Sequence, residues 1–169
     1  MHGLYDSTRL SDKDGTTFMT HEAQCAPLVH PSTAQAIVST ESGFNPHAIG
    51  VVAGSLQRQP RSIDEAVLTA SDLRLRGRNF SVGLAQINIH NLDRFGLTLV
   101  DGFDACKNLG AMQTVLADCY ERAGAKDAPQ AALRRALSCY YSGNFTTGFR
   151  HGNVSRVVSN SQKSTRAPP

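Results

Sequence analysis

The residue whose position most strongly suggests chemistry is Glu41. A helix is predicted from Thr33 to Ser42, with Gly43 as its stop, and its apolar stripe runs through Ala34, Ile37 and Val38. Because residues three or four apart share a helix face, the same stripe continues to Glu41, where a core-facing helix would carry Leu or Ile. An ionisable group in an apolar setting is a candidate proton donor.

Two effects are expected to raise the pKa of the Glu41 carboxyl. Desolvation beside Ile37, Val38 and Phe44 disfavours the anion. The last turn of a helix does so too, because the macrodipole is negative there. A carboxyl group with a raised pKa can donate a proton near neutral pH. Periodicity alone fits equally well a solvated Glu41 that turns outward at the helix end.

Three short motifs, the first of which begins at Glu41, follow one another along the chain. They read ESGFNPHA at residues 41–48, GLAQIN at 83–88 and CYYSGN at 139–144. The motifs resemble the E-S-x-F-x-P-x-A, G-L-M-Q-I and A-Y-N-A-G signatures of lytic transglycosylases of the goose-type lysozyme superfamily. Their order is that of the family, and the resemblance covers roughly residues 25–149.

An insertion at residues 51–80, between the first two motifs, is longer than in the generic family. Its QPRS stretch before a helix and its later NFSVGL stretch resemble the peptidoglycan-cutting subunit of bacterial type IV secretion and conjugation machines. The CYYSGN form of the third motif points to the same subgroup. The resemblance implies a periplasmic enzyme whose substrate is the peptidoglycan glycan strand, with secretion-channel components as candidate partners.

The resemblance also implies a role for each motif residue. Glu41 would be the lone catalytic acid and base, and Ser42 would position or polarise the substrate beside it. Gln86 would line the groove and hydrogen-bond saccharide, with Asn88 beside it in the same motif. The hydroxyl of Tyr140 would reach Glu41, orient it and tune its proton affinity.

The third motif departs from the family pattern at its centre. Tyr141 replaces the usual asparagine, which puts the sugar contacts of that amide in doubt. Asn144 is the candidate for supplying a nearby amide instead. Cys139 replaces alanine, and a disulfide would account for it. In the second motif, Ala85 replaces the common methionine, which alters groove packing more than chemistry.

The implied reaction needs one carboxylate and no cofactor. Glu41 would protonate the β-1,4 bond between N-acetylmuramic acid and N-acetylglucosamine, and the C6 hydroxyl would then close a 1,6-anhydro ring. Two other functions stay open from the sequence. One is a lysozyme-type hydrolase that uses water, although most such enzymes employ two carboxylates. The other is a non-catalytic peptidoglycan-binding or assembly module.

Composition narrows the class of protein. Hydrophobic residues make up 40% of the 169 residues and charged residues 18%, which is typical of a globular domain. No run approaches the roughly 20 apolar residues of a membrane span, and the formal charge of +3 does not call for a nucleic-acid partner. The scattered histidines show no ligand spacing, so we expect no metal site, and we expect a monomer.

Four cysteines without any C-x-x-C pair suit two disulfides in an oxidising compartment, although four free thiols would look the same. If residues 104–122 form one helix, Cys106 and Cys119 lie about 20 Å apart along it. Disulfide geometry requires Cα atoms within about 7 Å, which excludes that pair. Two arrangements remain, Cys25–Cys106 with Cys119–Cys139 or Cys25–Cys119 with Cys106–Cys139.

The predicted fold is mainly α, a lysozyme-like single domain with a small β element or extended insertion beside the active-site cleft. We divide the chain into a polar leader or arm at residues 1–17, the domain at 18–159 and a flexible tail at 160–169. A short helix capped by Thr20 and the helix at 33–42, capped by Ser32, come first. Further helices are predicted at 62–74, 104–122, 129–139 and between 146 and 159, and extended segments at 51–56 and 79–82.

Overall fold

The computed structural model describes residues 22–124 and 128–165. Within them, a helical turn at residues 22–25 precedes eight helices and three short strands. These run in the order α1 (Pro31–Ser42), β1 (Ile49–Val51), α2 (Ile63–Leu75), β2 (Phe80–Val82), β3 (Ile87–Asn88), α3 (Ile89–Arg94), α4 (Leu99–Phe103), α5 (Ala105–Ala123), α6 (Pro129–Ser142), α7 (Thr147–Arg150) and α8 (Asn153–Thr165). The predicted mainly helical fold is confirmed.

The small β element is an antiparallel sheet in the order β1-β2-β3. Ile49 pairs with Val82, and Val82 pairs in turn with Ile87. The first strand begins and ends earlier than the predicted segment at 51–56, and the third was not predicted. Because β3 is part of the second motif, the sheet connects that motif to the end of the first.

Of the two predicted helix caps that lie on described residues, one is confirmed and one is wrong. Ser62 accepts a hydrogen bond from the backbone N–H of Glu65 at the start of α2, at 3.2 Å. The cap predicted at Ser32 is wrong, because Pro31 takes the first position of α1 and His30 caps it. Proline suits that position because its N–H would be unpaired there and its φ is already helical.

The last predicted helix is two helices in the structure. Gly152, with φ of 72°, separates α7 from α8 because a left-handed residue cannot continue a helix. The second of these continues past Ser159 to Thr165, so the predicted start of the tail is too early. Asn160 lies within α8, and its Nδ2 donates to Oγ1 of Thr40 at 2.9 Å. The predicted leader, the Thr20 cap and residues 166–169 lie outside the described residues.

Two disulfides tie the helices together in the first of the two predicted arrangements. Cys25 pairs with Cys106, with their Cα atoms 5.0 Å apart. Cys119 pairs with Cys139 at 5.7 Å and joins α5 to α6. The first bridge secures the chain ahead of α1 to the start of α5. Both cross-links therefore converge on α5, the longest of the described helices.

The core lies between the helices and one face of the sheet. The largest helix contacts are those of α1 with α8 and of α5 with α6. Ile37 from α1, Leu84 from the second motif, and Leu109 and Met112 from α5 are all at most 2% exposed. Within the described ranges, no helix is long and apolar enough to cross a membrane.

One buried side chain, Asn108 of α5, holds the second motif in place. Its Oδ1 accepts from the backbone N–H of Ala85 at 2.8 Å. Its Nδ2 donates to the carbonyls of Val82 at 2.9 Å and Gly102 at 2.8 Å. A Cβ at Gly83 would come within 2.3 Å of Asn108 Nδ2, so only glycine fits there. The second motif is therefore built around this amide.

We expect Asn108→Ala to lower the free energy of unfolding by about 2–4 kcal/mol, because it leaves three buried backbone groups without partners. Chemical denaturation would measure the change. Thr114→Ala is the matched control on the exposed face of the same helix, where the hydroxyl bonds only the Gly110 carbonyl. We expect it to change stability by no more than about 0.5 kcal/mol. Equal effects of the two substitutions would contradict the role of Asn108.

Candidate active site

A cleft of about 790 Å³ runs between the sheet and the helices α5 and α6. Every element from α1 to α7 except α2 and α4 contributes to its wall. The wall is rich in groups that could hydrogen-bond a polar chain, among them Glu41, Asn79, Ser81, Gln86, Asn88, Asn91, Asp118, Tyr140, Tyr141, Ser142 and His151. An open cleft with this many hydrogen-bonding side chains in its wall suits a polysaccharide better than a small apolar ligand.

Glu41 sits at the end of α1, where the helix terminates in two left-handed residues. Gly43 has φ of 59° and Phe44 has φ of 64°. Left-handed backbone is strained for a phenylalanine, and such strain is typical of functional sites. Ile37 and Val38, on the preceding turn, are fully buried. The apolar stripe therefore leads to Glu41 as predicted, and the carboxyl opens into the cleft instead of turning out to bulk solvent.

The pKa of Glu41 is raised above its ordinary value of 4.5, chiefly because burial strips water from the carboxylate. Two groups of α8 act in the opposite direction. The Nδ2 of Asn153 donates to Oε1 of Glu41 at 3.1 Å, and the positive charge of Arg156 also favours the anion. The net result is a carboxyl that retains its proton to higher pH than a solvated glutamate.

Tyr140 does not make the predicted hydrogen bond to Glu41. Its hydroxyl donates to the carbonyl of Ala85 at 2.6 Å. A phenol has one proton, so this bond leaves none to donate to the carboxylate. Burial, with a contribution from the negative charge of Glu41, raises the pKa of Tyr140 well above 10, so its hydroxyl stays neutral. Tyr140 therefore supports the second motif and lies close enough to Glu41 for the charge of the carboxylate to affect its hydroxyl.

Gln86 lines the cleft with its amide nitrogen already occupied. Its Nε2 donates to the carbonyls of Ala48 and Gly83, each at 3.0 Å, and its backbone has φ of 52°. A Cβ at Gly50 would come within 2.5 Å of Gln86 Oε1, so a larger residue there would displace this amide oxygen. The amide thus joins the first motif to the second, and only its oxygen is left to accept a bond from sugar.

Three other predicted residues hold the backbone. Asn88 lines the cleft, caps α3 by accepting from His90 N–H at 3.1 Å, and donates to Asn79. Ser42 donates to the carbonyl of Val38 within its own helix. Asn144 accepts from backbone N–H groups at the start of α7. Neither Ser42 nor Asn144 is part of the cleft wall, and their substrate roles stay predictions.

Tyr141, at the unusual position of the third motif, lies in the cleft wall beside His151. Its hydroxyl and the Nδ1 of His151 are 3.2 Å apart, and the two rings meet edge to face with centroids 5.9 Å apart. An aromatic face and a polar edge thus stand where the family has an amide. Such a pair can contact the apolar face of a sugar ring and its hydroxyl groups.

Sequence reasoning missed four residues of the site: Asn153, Arg156, His151 and Asp118. The first two approach Glu41 from α8, more than 110 residues away in sequence. None of the four lies in a motif, and the periodic pattern around them marks only the apolar positions of their helices. No sequence signal marks Asn153, because an amide at a helix start resembles an ordinary cap.

Comparison with known proteins agrees with this geometry. Residues 18–162 match the family described as Transglycosylase SLT domain. The Type IV secretion system protein virB1 of Brucella suis biovar 1 is 50% identical over 156 residues, 88% of this chain and 66% of that protein. Protein virB1 of Agrobacterium fabrum is 36% identical over 143 residues, 83% of this chain and 57% of that protein. The chain thus spans about two thirds of the first relative and less of the second. No solved structure gives a match.

The desolvated carboxyl generates a pH-dependent prediction. Because the pKa of Glu41 is higher in the folded state, protonation of Glu41 stabilises the folded protein. This stabilisation is lost as pH rises through the folded-state pKa. We expect Glu41→Gln to raise the melting temperature at pH 8, and the difference from the parent to shrink towards pH 4. Thermal unfolding across that range would measure it.

Glu65→Gln is the control of opposite sign. The hydrogen bond from Arg58 holds the pKa of Glu65 below its usual value. The contribution of Glu65 to folding stability is therefore present at pH 8 and is lost as pH falls. The substitution should lower the melting temperature at pH 8 and have a smaller effect at pH 4. A Glu41→Gln protein no more stable than the parent at pH 8 would mean that the carboxyl is well solvated.

Proposed function

We propose that this chain, which belongs to the Transglycosylase SLT domain family, is a lytic transglycosylase that cuts the glycan strands of peptidoglycan. The observation that carries the proposal is the partly buried carboxyl of Glu41, which opens into a polar cleft and has a raised pKa. A non-catalytic module would gain nothing from a desolvated carboxyl, since burying it costs folding free energy.

In the first step, Glu41 donates its proton to the glycosidic oxygen between N-acetylmuramic acid and N-acetylglucosamine. The bond from that oxygen to C1 breaks, and its electron pair stays with the leaving oxygen. The N-acetyl group of the substrate stabilises the positive charge that develops at C1. A protein nucleophile is then unnecessary, which fits a site with one catalytic carboxyl.

In the second step, the ionised Glu41 removes the proton of the C6 hydroxyl, whose oxygen bonds to C1. The product is a 1,6-anhydro-muramoyl end, the proton is back on Glu41, and no water is consumed. Since the hydroxyl belongs to the ring that it attacks, the entropy of recruiting a second molecule is avoided. Asn153 and Arg156 favour the anion that this step requires.

Asp118 is the other carboxylate in the described part of the cleft wall, and it bears on the alternative reaction. A hydrolase of the two-carboxylate type would use it to activate water or to attack C1. Its Oδ2 is paired with Nη2 of Arg122 at 3.2 Å, one helical turn away on α5. The ion pair occupies this oxygen, so Asp118 would have to release Arg122 before that oxygen could activate water or attack C1, and this arrangement favours transglycosylation.

The cellular role follows from the relatives whose names place them in type IV secretion systems. We propose that cleavage opens the wall locally for assembly of such a channel, whose components would be the partners. We propose that the enzyme acts in the periplasm, because its proposed substrate is peptidoglycan. The two disulfides are compatible with that oxidising compartment.

Digestion of purified sacculi, with mass spectrometry of the released fragments, tests the reaction. We expect anhydro-ended fragments from the parent and a loss of at least about 100-fold with Glu41→Gln, because a positioned general acid contributes about 10²–10⁴-fold. Asp118→Asn is the matched carboxyl-to-amide control in the same cleft. This variant should still release anhydro-ended fragments, at a rate within about ten-fold of that of the parent.

The other outcomes discriminate between the alternatives. Reducing ends from the parent, lost in Asp118→Asn, would identify a two-carboxylate hydrolase. Binding of sacculi without release of any fragment would identify a peptidoglycan-binding module.

A further inference from the structure

Glu41 makes one side-chain hydrogen bond within the described ranges, and its partner lies outside all three motifs. That partner is Asn153, whose Nδ2 lies 3.1 Å from Glu41 Oε1. Asn153 is the first residue of α8 and is only 3% exposed. A buried amide aimed at a carboxyl in a cleft is costly to keep unless the bond is made. The contact is therefore a built feature of the site.

We propose that Asn153 is a positioning residue that holds Oε1 of Glu41 and thereby directs the proton of the neutral acid to Oε2. The catalytic consequence of this inference rests on the proposed function, but the contact and its effect on Glu41 do not.

The direction of the bond assigns the proton. An amide nitrogen can only donate, so the oxygen that it contacts must accept. In a neutral carboxyl group the better acceptor is the carbonyl oxygen, and the proton then sits on the other oxygen. With Oε1 bound to Asn153, the protonated oxygen is Oε2, the one left for the cleft. A proton donor aimed in this way needs no reorientation when substrate arrives.

The packing of α8 on α1 fixes the position of the amide. Two turns after Asn153, the Nδ2 of Asn160 donates to Oγ1 of Thr40 at 2.9 Å. Thr40 and Glu41 are neighbours on α1, so the two amides bind adjacent residues of the same helix. Residues seven apart lie on the same face of a helix, which makes these contacts a matched pair. They set the register of α8 against the catalytic helix.

The charged and titratable groups that face Glu41 come from two elements besides its own. From α8 come Asn153 and Arg156, which favour the anion, and from α6 comes the neutral Tyr140. The two nearby helix dipoles oppose each other, since the negative end of α1 disfavours the Glu41 anion and the positive end of α8 favours it. The amide therefore limits the effect of burial and stabilises the anion that must act as base in the second step.

Carbon-13 NMR titration of the Glu41 carboxyl tests the inference without substrate. The 169-residue chain would carry labelled glutamate, and Glu41→Gln would identify the signal. We expect Asn153→Ala to move the Glu41 midpoint to higher pH, because the bond that it removes favours the anion. Asn160→Ala, which loses the same kind of amide bond to α1, should leave the midpoint unchanged.

Kinetics on soluble glycan strands give the catalytic readout. Asn153→Ala should lower kcat about ten-fold with little change in KM, since only part of the roughly 10²–10⁴-fold effect of a general acid is lost. The basic limb of its kcat/KM profile should move to higher pH, while Asn160→Ala keeps the profile of the parent. A purely structural role of α8 would instead affect both variants alike.

The two readouts separate the inference from the proposed function. An unchanged Glu41 midpoint in Asn153→Ala overturns the inference, whatever the activity. A parent that releases no product overturns the proposed function, and the titration still decides whether Asn153 holds the carboxyl.

Discussion

The central constraint on the structure is the burial of the Glu41 carboxyl at the C-terminal end of α1, which costs folding free energy when the group is ionised. Burial disfavours the anion of Glu41, so its proton is held more tightly than that of a solvated glutamate. Asn153 and Arg156 favour the anion and so partly offset the rise in the pKa of Glu41. The neighbouring elements can be understood as the support for this one residue.

Much of that support is made by side chains that bind backbone. Gln86 connects the first motif to the second through the Ala48 and Gly83 carbonyls, and Tyr140 connects the third motif to the second through Ala85. Asn108 holds the second motif from behind. The three motifs are thus joined by hydrogen bonds that leave few atoms free for sugar. The motif residues that bind backbone therefore shape the cleft. The polar groups of the wall that make no such bond are the ones available to bind a substrate.

Local signals predicted what local interactions determine. The stripe through Ile37 and Val38 leads to Glu41, and Ser62 caps its helix as the capping pattern indicates. Longer-range features escaped prediction for physical reasons. The choice between two disulfide arrangements depends on how α5 packs, and the bond from Tyr140 to Ala85 spans 55 residues. Asn153 carried no periodic or motif signal, because an amide at a helix start resembles an ordinary cap until its partner is known.

Digestion of glycan strands in oxygen-18 water would show which oxygen attacks C1 of the muramoyl residue. If Glu41 acts alone and the C6 hydroxyl closes the ring, the muramoyl ends released by this protein will contain no label. Incorporation of one labelled oxygen at C1 in every product would show that water is the acceptor, and would contradict the single-carboxylate transglycosylase described here.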